Sequence, residues 1–285
     1  MRRYCVIGYP IGHSLSAVFQ NAAFKKIGED AEYTACEVKP GDLGIFMRTF
    51  KKQYAGANVT VPYKEEIIPF LNDLDEEAKM IGAVNTIVNH KGKLIGYNTD
   101  AYGAMKALHM ESRPDPRKLR VIIIGAGGAA KAIAFACVKA GSQVTILNRT
   151  VAHAGGLAKR LNELRVELKL PLFNIVTYGS PDDFNVEHCD ILINATSCGM
   201  SPRENETPVD LFRDRSELSK TNFTVMDIVY KPLKTKLLLD AEKIGAEIIT
   251  GDTMLLFQGA RSFELWTGKT APLEAMEGAL RRYHQ

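Results

Sequence analysis

The sequence predicts an α/β protein of two domains, on three observations. Strand and helix patterns alternate through the first hundred residues, a glycine-rich turn at Gly125–Gly128 joins a β-branched run to an alanine-rich segment, and the polar stretch Met110–Lys118 holds two prolines. Alternating strands and helices are typical of open sheets covered by helices, and a polar, proline-containing stretch marks a domain boundary. We therefore expect an N-terminal α/β domain over residues 1–110 and a Rossmann-type, doubly wound parallel sheet over residues 117–252.

Local signals place the elements of the first domain. Apolar or alternating runs predict strands, serines and prolines mark helix starts, and Lys91-Gly92 suits a hairpin turn. The predicted strands are Tyr4–Ile7, Glu32–Val38, Asn58–Val61 and the hairpin pair Val84–Asn89 and Lys93–Tyr97. The predicted helices run from Ser14 or Ser16 to about Ile27, from Pro40 through Thr49, onward from Pro62, and from Asp75 to Ile81.

The second domain opens with a βαβ pattern. Arg120–Ile124 is a β-branched strand, Ala129–Ala140 an alanine-rich helix and Gln143–Leu147 a second strand. Further buried-type strands are predicted at Ile175–Tyr178, Asp190–Asn194, Phe223–Asp227 and Glu247–Thr250. After Thr253 the pattern is helical to the end, in two segments that break near Pro272.

The composition excludes several classes of protein. The chain has 285 residues, with 36 Lys and Arg against 33 Asp and Glu and no basic run, which argues against nucleic acid as a partner. Its five cysteines form no C-x-x-C pair and have no histidine at metal-ligand spacing, so we expect reduced thiols and no metal site. No apolar run is long enough for a signal peptide or a membrane span. The expectation is a soluble cytoplasmic protein.

The glycine-rich turn fits the G-x-G-x-x-G/A pattern of dinucleotide-binding loops. It reads Gly125, Ala126, Gly127, Gly128, Ala129 and Ala130. Such turns also occur for purely structural reasons, but the position between a strand and a helix favours binding of a pyrophosphate. The end of the next strand carries Asn148, Arg149 and Thr150 and no carboxylate. An arginine there accommodates a 2′-phosphate, which predicts NADP(H); the alternative is that Arg149 is an ordinary surface residue.

Two short motifs in the first domain place one ionisable side chain each among small polar residues. Lys64 ends GANVTVPYK and Asp100 lies within GYNTDAYG. Lysines are usually solvated, and Asp100 could simply cap a helix that begins at Ala101. Both residues nevertheless follow predicted strand ends, where ligands bind in open α/β sheets. If they meet, the aspartate holds a charged lysine that can donate a proton to a forming alkoxide.

The chain resembles the shikimate dehydrogenases, within the shikimate/quinate dehydrogenase family. The resemblance extends over essentially the whole length and rests on motifs in order: GYPIGHSLS (8–16), GANVTVPYK (56–64), GAVNT (82–86), GYNTDAYG (96–103), the nucleotide loop with NRT, NATSCGM (194–200), DIVYKPLKTKLL (227–238) and MLLFQGARSFELWTG (254–268). It implies reversible reduction of 3-dehydroshikimate to shikimate with NADPH, in the biosynthesis of aromatic amino acids through chorismate.

The resemblance also implies roles for individual residues. Ser14 and Ser16 would bind the substrate carboxylate, and Lys64 with Asp100 would be the catalytic acid/base pair. The remaining substrate-binding residues would be Thr60, Asn85, Tyr230 and Gln258. The cofactor would be held by Gly125, Ala126, Gly127, Gly128 and Ala129 at the pyrophosphate, by Asn148, Arg149, Thr150 and His153 at the adenosine phosphate, and by Ile228 and Gly251 at the nicotinamide. Because Gln258 is needed in the substrate pocket, residues from about 253 to 285 are expected to return to the first domain.

Two rival functions stay open beside this interpretation. His153 stands where many relatives have an arginine, which implies weaker or pH-dependent selectivity for NADP. An NAD-using quinate/shikimate dehydrogenase would require an acidic residue near Arg149, and the sequence has none. A ligand-sensing relative without catalysis would not need both Lys64 and Asp100. The expected partner is a small-molecule substrate, and the protein is expected to be a monomer or a homodimer.

Overall fold

The structure is a computed structural model that describes residues 1–12, 14–110, 115–170, 175–212 and 223–284. Its backbone divides into two compact units. The first unit comprises Met1–Gly103 and Leu255–Gln285, and the second comprises Ala104–Met254. Part of the polar stretch Met110–Lys118 lies outside the described residues. No helix in the described ranges is long and apolar enough to cross a membrane.

Strands and helices alternate through the first unit. The elements up to residue 107 are β1 (Arg2–Gly8), α1 (Ser16–Lys26), β2 (Ala31–Glu37), α2 (Leu43–Gln53), β3 (Gly56–Val59), β4 (Asp73–Leu74), α3 (Glu76–Ile81), β5 (Thr86–His90), β6 (Lys93–Tyr97) and α4 (Asp100–Ala107). The described strands form one sheet in the order β2-β1-β3-β5-β6-β4. The hairpin at Lys91-Gly92 is confirmed, and both turn residues have positive φ, at 53° and 92°, as a tight hairpin turn requires.

Two predicted helices of the first unit are wrong in part. The helix expected onward from Pro62 is a series of turns followed by a single 3-10 turn, Ile68–Phe70. The reason is a competing hydrogen bond, because the Lys64 carbonyl accepts from the Val84 amide at 2.7 Å instead of continuing a helical ladder. The helix expected from Pro40 begins instead at Leu43, since the Asp42 amide first closes a turn onto the Lys39 carbonyl.

The second unit is a parallel sheet with helices between its strands. From residue 120 its elements are β7 (Arg120–Ile124), α5 (Gly128–Lys139), β8 (Gln143–Leu147), α6 (Val151–Glu167), β9 (Thr177–Gly179), β10 (Ile191–Asn194), β11 (Thr224–Asp227), α7 (Lys236–Lys243) and β12 (Glu247–Ile249). The C-terminal helices α8 (Gly251–Thr267) and α9 (Leu273–His284) follow. The strand expected at Ile175–Tyr178 pairs only from Thr177, because the Asn162 side chain holds both backbone groups of Val176.

The order of the second sheet is β12-β11-β10-β7-β8-β9, and every described pair is parallel. This is the 3-2-1-4-5-6 order of a Rossmann sheet, so the predicted fold class is confirmed. The order reverses between β7 and β10, and in such sheets ligands bind beyond the carboxyl ends of the strands at that point. Buried side chains from both strands, including Ile122 and Leu192, form the core beneath it.

The C-terminal helices α8 and α9 are separated near Pro272, as predicted. From residue 255 onward α8 belongs to the first unit, where the Trp266 indole donates to the Ile87 carbonyl at 3.0 Å. The indole also lies directly against Gly56, and any larger residue there would collide with it. A tilted ring contact with Tyr4, at 5.0 Å between centroids, completes the packing of α8 on this sheet.

Candidate active site

The sheet register brings four chain segments of the first unit to one edge. Thr86 at the start of β5 pairs with Asn58 near the end of β3 and with Tyr97 at the end of β6. Because β5 is antiparallel to both neighbours, the residue before it lies beside the residues that follow them. Asn85 therefore meets the loop after Val59 and the segment Asn98–Asp100. The pairing of β1 with β3 adds the loop that follows Gly8.

Lys64 and Asp100 are in direct contact at this edge. The Lys64 Nζ lies 2.5 Å from Asp100 Oδ2, and the two side chains are only 13% and 5% exposed. Asp100 is the first residue of α4, where a negative charge is stabilised by the helix dipole. The cap itself is made by Asn98, whose Oδ1 accepts from the Asp100 amide at 3.0 Å. The capping role considered for Asp100 is thus taken by Asn98, which leaves the Asp100 carboxylate for the lysine.

Asn85 links this pair to the C-terminal helix. Its Nδ2 donates towards Asp100 Oδ1 at 2.8 Å, Thr99 Oγ1 at 2.9 Å and Gln258 Oε1 at 3.2 Å. Its Oδ1 accepts from the Thr99 amide at 2.7 Å. Asn85 is 2% exposed and Gln258 is 7% exposed. Four residues predicted for the site, Lys64, Asn85, Asp100 and Gln258, are therefore joined in one polar cluster.

A second set of polar side chains lies behind the cluster, and the sequence analysis missed one of its centres, Ser262. The Ser262 hydroxyl lies 2.8 Å from Thr86 Oγ1, 3.1 Å from Thr99 Oγ1 and 3.0 Å from the Gln258 carbonyl. It also accepts from Asn58 Nδ2 at 2.9 Å. The available signal was its spacing, because Ser262 follows Gln258 by four residues and so lies on the same helix face.

The predicted carboxylate-binding serines lie in the loop after β1. Ser14 Oγ accepts from the Ser16 amide at 3.3 Å, and Ser16 is the first residue of α1 and is buried. Thr60 follows β3 and packs its methyl group against Gly8. A Cβ added at Gly8 would lie only 2.5 Å from that methyl carbon. Among the described residues, no hydrogen bond joins these three side chains to Lys64 or Asp100.

In the second unit the predicted nucleotide loop has the geometry of an anion-binding turn. Gly125 has φ of +119°, and an added Cβ would lie 2.9 Å from the Ala195 carbonyl oxygen. Gly127 is the N-cap of α5, has no side-chain cap and has open space where a Cβ would be. The first amides of a twelve-residue helix therefore face this open space. The loop fits a pyrophosphate group.

A cavity of about 490 Å³ lies beside the ends of β7 and β8. It is lined by predicted adenosine-phosphate residues, namely Asn148, Arg149, Thr150 and His153. The Asn148 side chain donates from Nδ2 to the Thr150 carbonyl at 2.9 Å, which fixes the turn that carries Arg149. The structure adds Arg203, which lines the same cavity and was not predicted.

The predicted nicotinamide residues Ile228 and Gly251 are in contact. A Cβ on Gly251 would lie 2.5 Å from the Ile228 carbonyl oxygen, so only glycine allows this approach. Tyr230, also predicted for the substrate pocket, lies two residues further on in the second unit and is half-buried. Within the described ranges, no group of three or more His, Cys, Asp and Glu side chains could hold a metal ion.

The segment after β11 is anchored by a buried carboxyl group. Asp227 Oδ1 accepts from Asn194 Nδ2 at 3.0 Å and from the Val229 amide at 2.9 Å, and Oδ2 accepts from the Thr235 hydroxyl at 2.7 Å. Burial raises the pKa of Asp227 to about 6, and these hydrogen bonds only partly oppose the shift.

A Rossmann sheet with an open glycine-rich turn and a largely buried lysine–aspartate pair define the class of nucleotide-dependent oxidoreductases. Three family models match the chain in order: the shikimate dehydrogenase substrate binding domain over residues 6–87, shikimate / quinate 5-dehydrogenase over residues 108–228, and the shikimate 5′-dehydrogenase C-terminal domain over residues 253–281. The chain belongs to the shikimate dehydrogenase family.

Individual relatives agree over nearly the full length. A shikimate dehydrogenase (NADP(+)) of Moorella thermoacetica is 44% identical over 280 residues, which cover 97% of this chain and 91% of that protein. A shikimate dehydrogenase crystallised with NADP+ is 38% identical with a TM-score of 0.89, covering 100% of this chain and 96% of that one. A shikimate 5-dehydrogenase from Thermus thermophilus, in complex with NADP(H) and shikimate, is 33% identical with a TM-score of 0.85 and 99% coverage of both chains.

Proposed function

We propose that this protein is an NADP-dependent shikimate dehydrogenase, which reversibly reduces 3-dehydroshikimate to shikimate in the biosynthesis of aromatic amino acids. The observation that carries the proposal is the contact between Lys64 and Asp100, at 2.5 Å and largely excluded from water. Relatives of the same family are shikimate dehydrogenases that use NADP(+), and one was crystallised with both NADP(H) and shikimate.

The proposed mechanism assigns proton transfer to Lys64. NADPH, when bound, supplies the hydride that reduces the ring carbonyl. As negative charge develops on the carbonyl oxygen, the Lys64 ammonium donates a proton to it and leaves a hydroxyl group. In the oxidation of shikimate the neutral amine accepts that proton. Asp100 keeps the ammonium in position through its direct contact with Nζ.

Asn85 has a positioning part in this proposal. An NH₂ group has two hydrogens, and the closest acceptors of Asn85 Nδ2 are Asp100 and Thr99, at 2.8 and 2.9 Å. A substrate hydroxyl therefore accepts from this NH₂ group only by displacing one of those two acceptors. We infer that Asn85 acts first on the orientation of Asp100 and secondly on the substrate.

Recognition of the substrate is assigned to neutral hydrogen-bonding groups. Ser14 and Ser16 would bind the carboxylate, while Thr60 and Gln258 would bind ring oxygens and Tyr230 would close the pocket. Among the described residues the Thr60 hydroxyl has no hydrogen-bond partner, so it is available to a ligand. A site that pairs every oxygen of a polyol discriminates strongly against analogues that lack one.

The cofactor is assigned to the second unit. The open turn Gly125–Ala129 would hold the pyrophosphate at the N-terminus of α5, as the uncapped amides there favour. Arg149 with its neighbours Asn148, Thr150 and His153 would hold the adenosine phosphate, and Ile228 and Gly251 would contact the nicotinamide. The absence of a carboxylate among residues 148–150 supports NADP over NAD.

We place the enzyme in the cytoplasm as a monomer or homodimer that does not bind nucleic acid. All five cysteines are free thiols, as expected in a reducing compartment. The near balance of charges, 36 basic against 33 acidic residues, supports a small-molecule partner over a polyanionic one.

One assay tests the proposal against both rivals. Consumption of NADPH and of NADH is followed by absorbance, with 3-dehydroshikimate and with 3-dehydroquinate as substrates. We expect the highest kcat/KM with NADPH and 3-dehydroshikimate. A preference for NADH with 3-dehydroquinate would favour the quinate dehydrogenase, and binding of shikimate without turnover would favour the sensor.

A further inference from the structure

The adenosine-side cavity holds a second guanidinium that comes from a different part of the sheet. Arg149 follows β8, whereas Arg203 lies in the loop after β10. Both arginines line the same cavity of about 490 Å³, together with His153. The two arginines approach from strands that flank β7 on either side in the sheet order. A ligand in this cavity is therefore flanked by guanidinium groups from two separate loops.

Arg203 is held in place by contacts that leave most of its donors available. Its Nη2 donates to Ser197 Oγ at 3.2 Å, and Ser197 also lines the cavity. Its Nη1 lies 3.8 Å from Glu206 Oε2, and the two side chains are 46% and 55% exposed. An ion pair that is long and half-exposed contributes little, so a doubly charged anion competes well for the same guanidinium.

We propose that Arg203 is a specificity-determining residue for the 2′-phosphate of NADP(H), and that Glu206 is its counter-ion while the cofactor is absent. This inference rests on the proposed function, in which Asn148, Arg149, Thr150 and His153 hold the adenosine phosphate. The pyrophosphate has its own site at the uncapped start of α5, so the cations of this cavity are left for the remaining phosphate. Two planar guanidinium forks can bind a terminal phosphate from two directions, which a single arginine cannot.

The test uses cofactor fragments, because their binding does not depend on catalysis or on the shikimate substrate. The dissociation constants of 2′,5′-ADP and of 5′-AMP are measured by calorimetry for the whole protein. The variants are Arg203→Ala, Arg203→Lys and Glu206→Gln. Arg160→Ala is the matched control, since it removes a guanidinium of the same unit that pairs with Glu167 at 3.0 Å on α6.

Removing Arg203 should weaken 2′,5′-ADP roughly tenfold or more, as loss of a charged hydrogen bond predicts, and leave 5′-AMP within about twofold. Arg203→Lys should recover part of the affinity, because the charge stays and the fork is lost. Glu206→Gln should tighten 2′,5′-ADP by about two- to fivefold by removing the competing carboxylate. Arg160→Ala should bind both fragments as the unchanged protein does.

Two results would overturn the assignment. If Arg203→Ala binds 2′,5′-ADP as tightly as the unchanged protein, or if it loses affinity for both fragments equally, Arg203 does not read the 2′-phosphate. If instead the unchanged protein shows no preference for 2′,5′-ADP over 5′-AMP, the NADP part of the proposed function fails, which is a separate outcome. Thermal unfolding of each variant verifies that the fold is retained. Glu206→Gln is an independent test, because it should raise the affinity for 2′,5′-ADP where Arg203→Ala lowers it.

Discussion

The side-chain amide of Asn85 donates a 2.8 Å hydrogen bond to one oxygen of Asp100, and the Lys64 ammonium lies 2.5 Å from the other. Both oxygens of the carboxylate are therefore occupied by side chains from different segments. A carboxylate fixed at both oxygens cannot rotate about its terminal bond without losing one partner. The direction in which Asp100 holds Lys64 is thus set by Asn85, the residue immediately before β5.

Replacing Lys64 by methionine removes the proton and keeps most of the side-chain length. We expect kcat for reduction of 3-dehydroshikimate to fall by roughly 100-fold or more, as loss of general acid catalysis predicts. Affinity for NADPH, measured by fluorescence titration, should not change. Lys52→Met is the control, because Lys52 is an exposed lysine of the same unit. Near-normal turnover of Lys64→Met would contradict the proposed mechanism.

Replacing Asn85 by alanine leaves Asp100 Oδ1 and the Thr99 amide without this partner. The free energy of unfolding should fall by about 1–3 kcal/mol, the cost of buried polar groups left unpaired. Because the lysine is then less well oriented, kcat should also fall, by up to roughly 100-fold. Urea denaturation and steady-state kinetics measure the two effects.

A matched variant separates stability from orientation. Asn72 Oδ1 accepts from the Leu94 amide at 2.8 Å elsewhere in the same unit. Asn72→Ala should lower stability by a smaller amount, because Asn72 is exposed, and should leave kcat unchanged. If Asn85→Ala likewise lowers only stability, Asn85 does not orient Asp100 for catalysis.

Two glycines of the nucleotide loop should respond differently to the same substitution. Gly125→Ala places a Cβ 2.9 Å from the Ala195 carbonyl oxygen, at a residue whose φ is +119°. The free energy of unfolding should therefore fall by about 1–3 kcal/mol, and the affinity for NADP should fall as well. Gly127→Ala meets no atom within 4 Å, so stability should be retained while the added methyl group occupies space for the pyrophosphate. Thermal unfolding and NADP titration of both variants distinguish the two cases; equal loss of stability would contradict the prediction.

Asp227 should make stability depend on pH. Its pKa is about 6 in the folded protein and 3.8 is its ordinary value, so between these values the folded state binds more protons than the unfolded state. The free energy of unfolding therefore falls as the pH rises from about 4 to about 6, by about 3 kcal/mol for this shift. Asp227→Asn removes the titration and keeps one acceptor oxygen.

Urea denaturation at several pH values between 4 and 7 measures the effect. The difference in unfolding free energy between Asp227→Asn and the unchanged protein should move in favour of the variant as the pH rises. Parallel pH profiles for the two proteins would show that Asp227 does not titrate in this range.

Patterns confined to a few neighbouring residues were sufficient to predict much of the fold from the sequence. The hairpin at Lys91-Gly92 depends on two turn residues, and the first βαβ of the Rossmann sheet depends on a run of β-branched residues, a glycine turn and an alanine-rich helix. Each of these patterns specifies its own hydrogen bonds, so no distant residue was needed to predict them.

The parts that sequence could not supply depend on distant partners. The turns after Pro62 exist because the Val84 amide, from another segment, takes the Lys64 carbonyl. The contact of Lys64 with Asp100 required the register of β3, β5 and β6, and Ser262 joined the cluster only through the packing of α8. Arg203 lies in a loop without a recognisable pattern, and only the cavity shows that it faces the same space as Arg149.

The division of the first unit into two chain segments sets the order in which its site is assembled during translation. Ser262 and its partner Thr99 are separated by 163 positions. At about 5–20 residues per second, ribosomes need roughly 8–30 s to pass from one to the other. For that interval the hydroxyl and amide groups of Asn58, Thr86 and Thr99 lack the serine that completes their hydrogen bonding. Every residue of the second unit has been synthesised before that serine, so the chain of the second unit is complete before the polar cluster of the first unit can be.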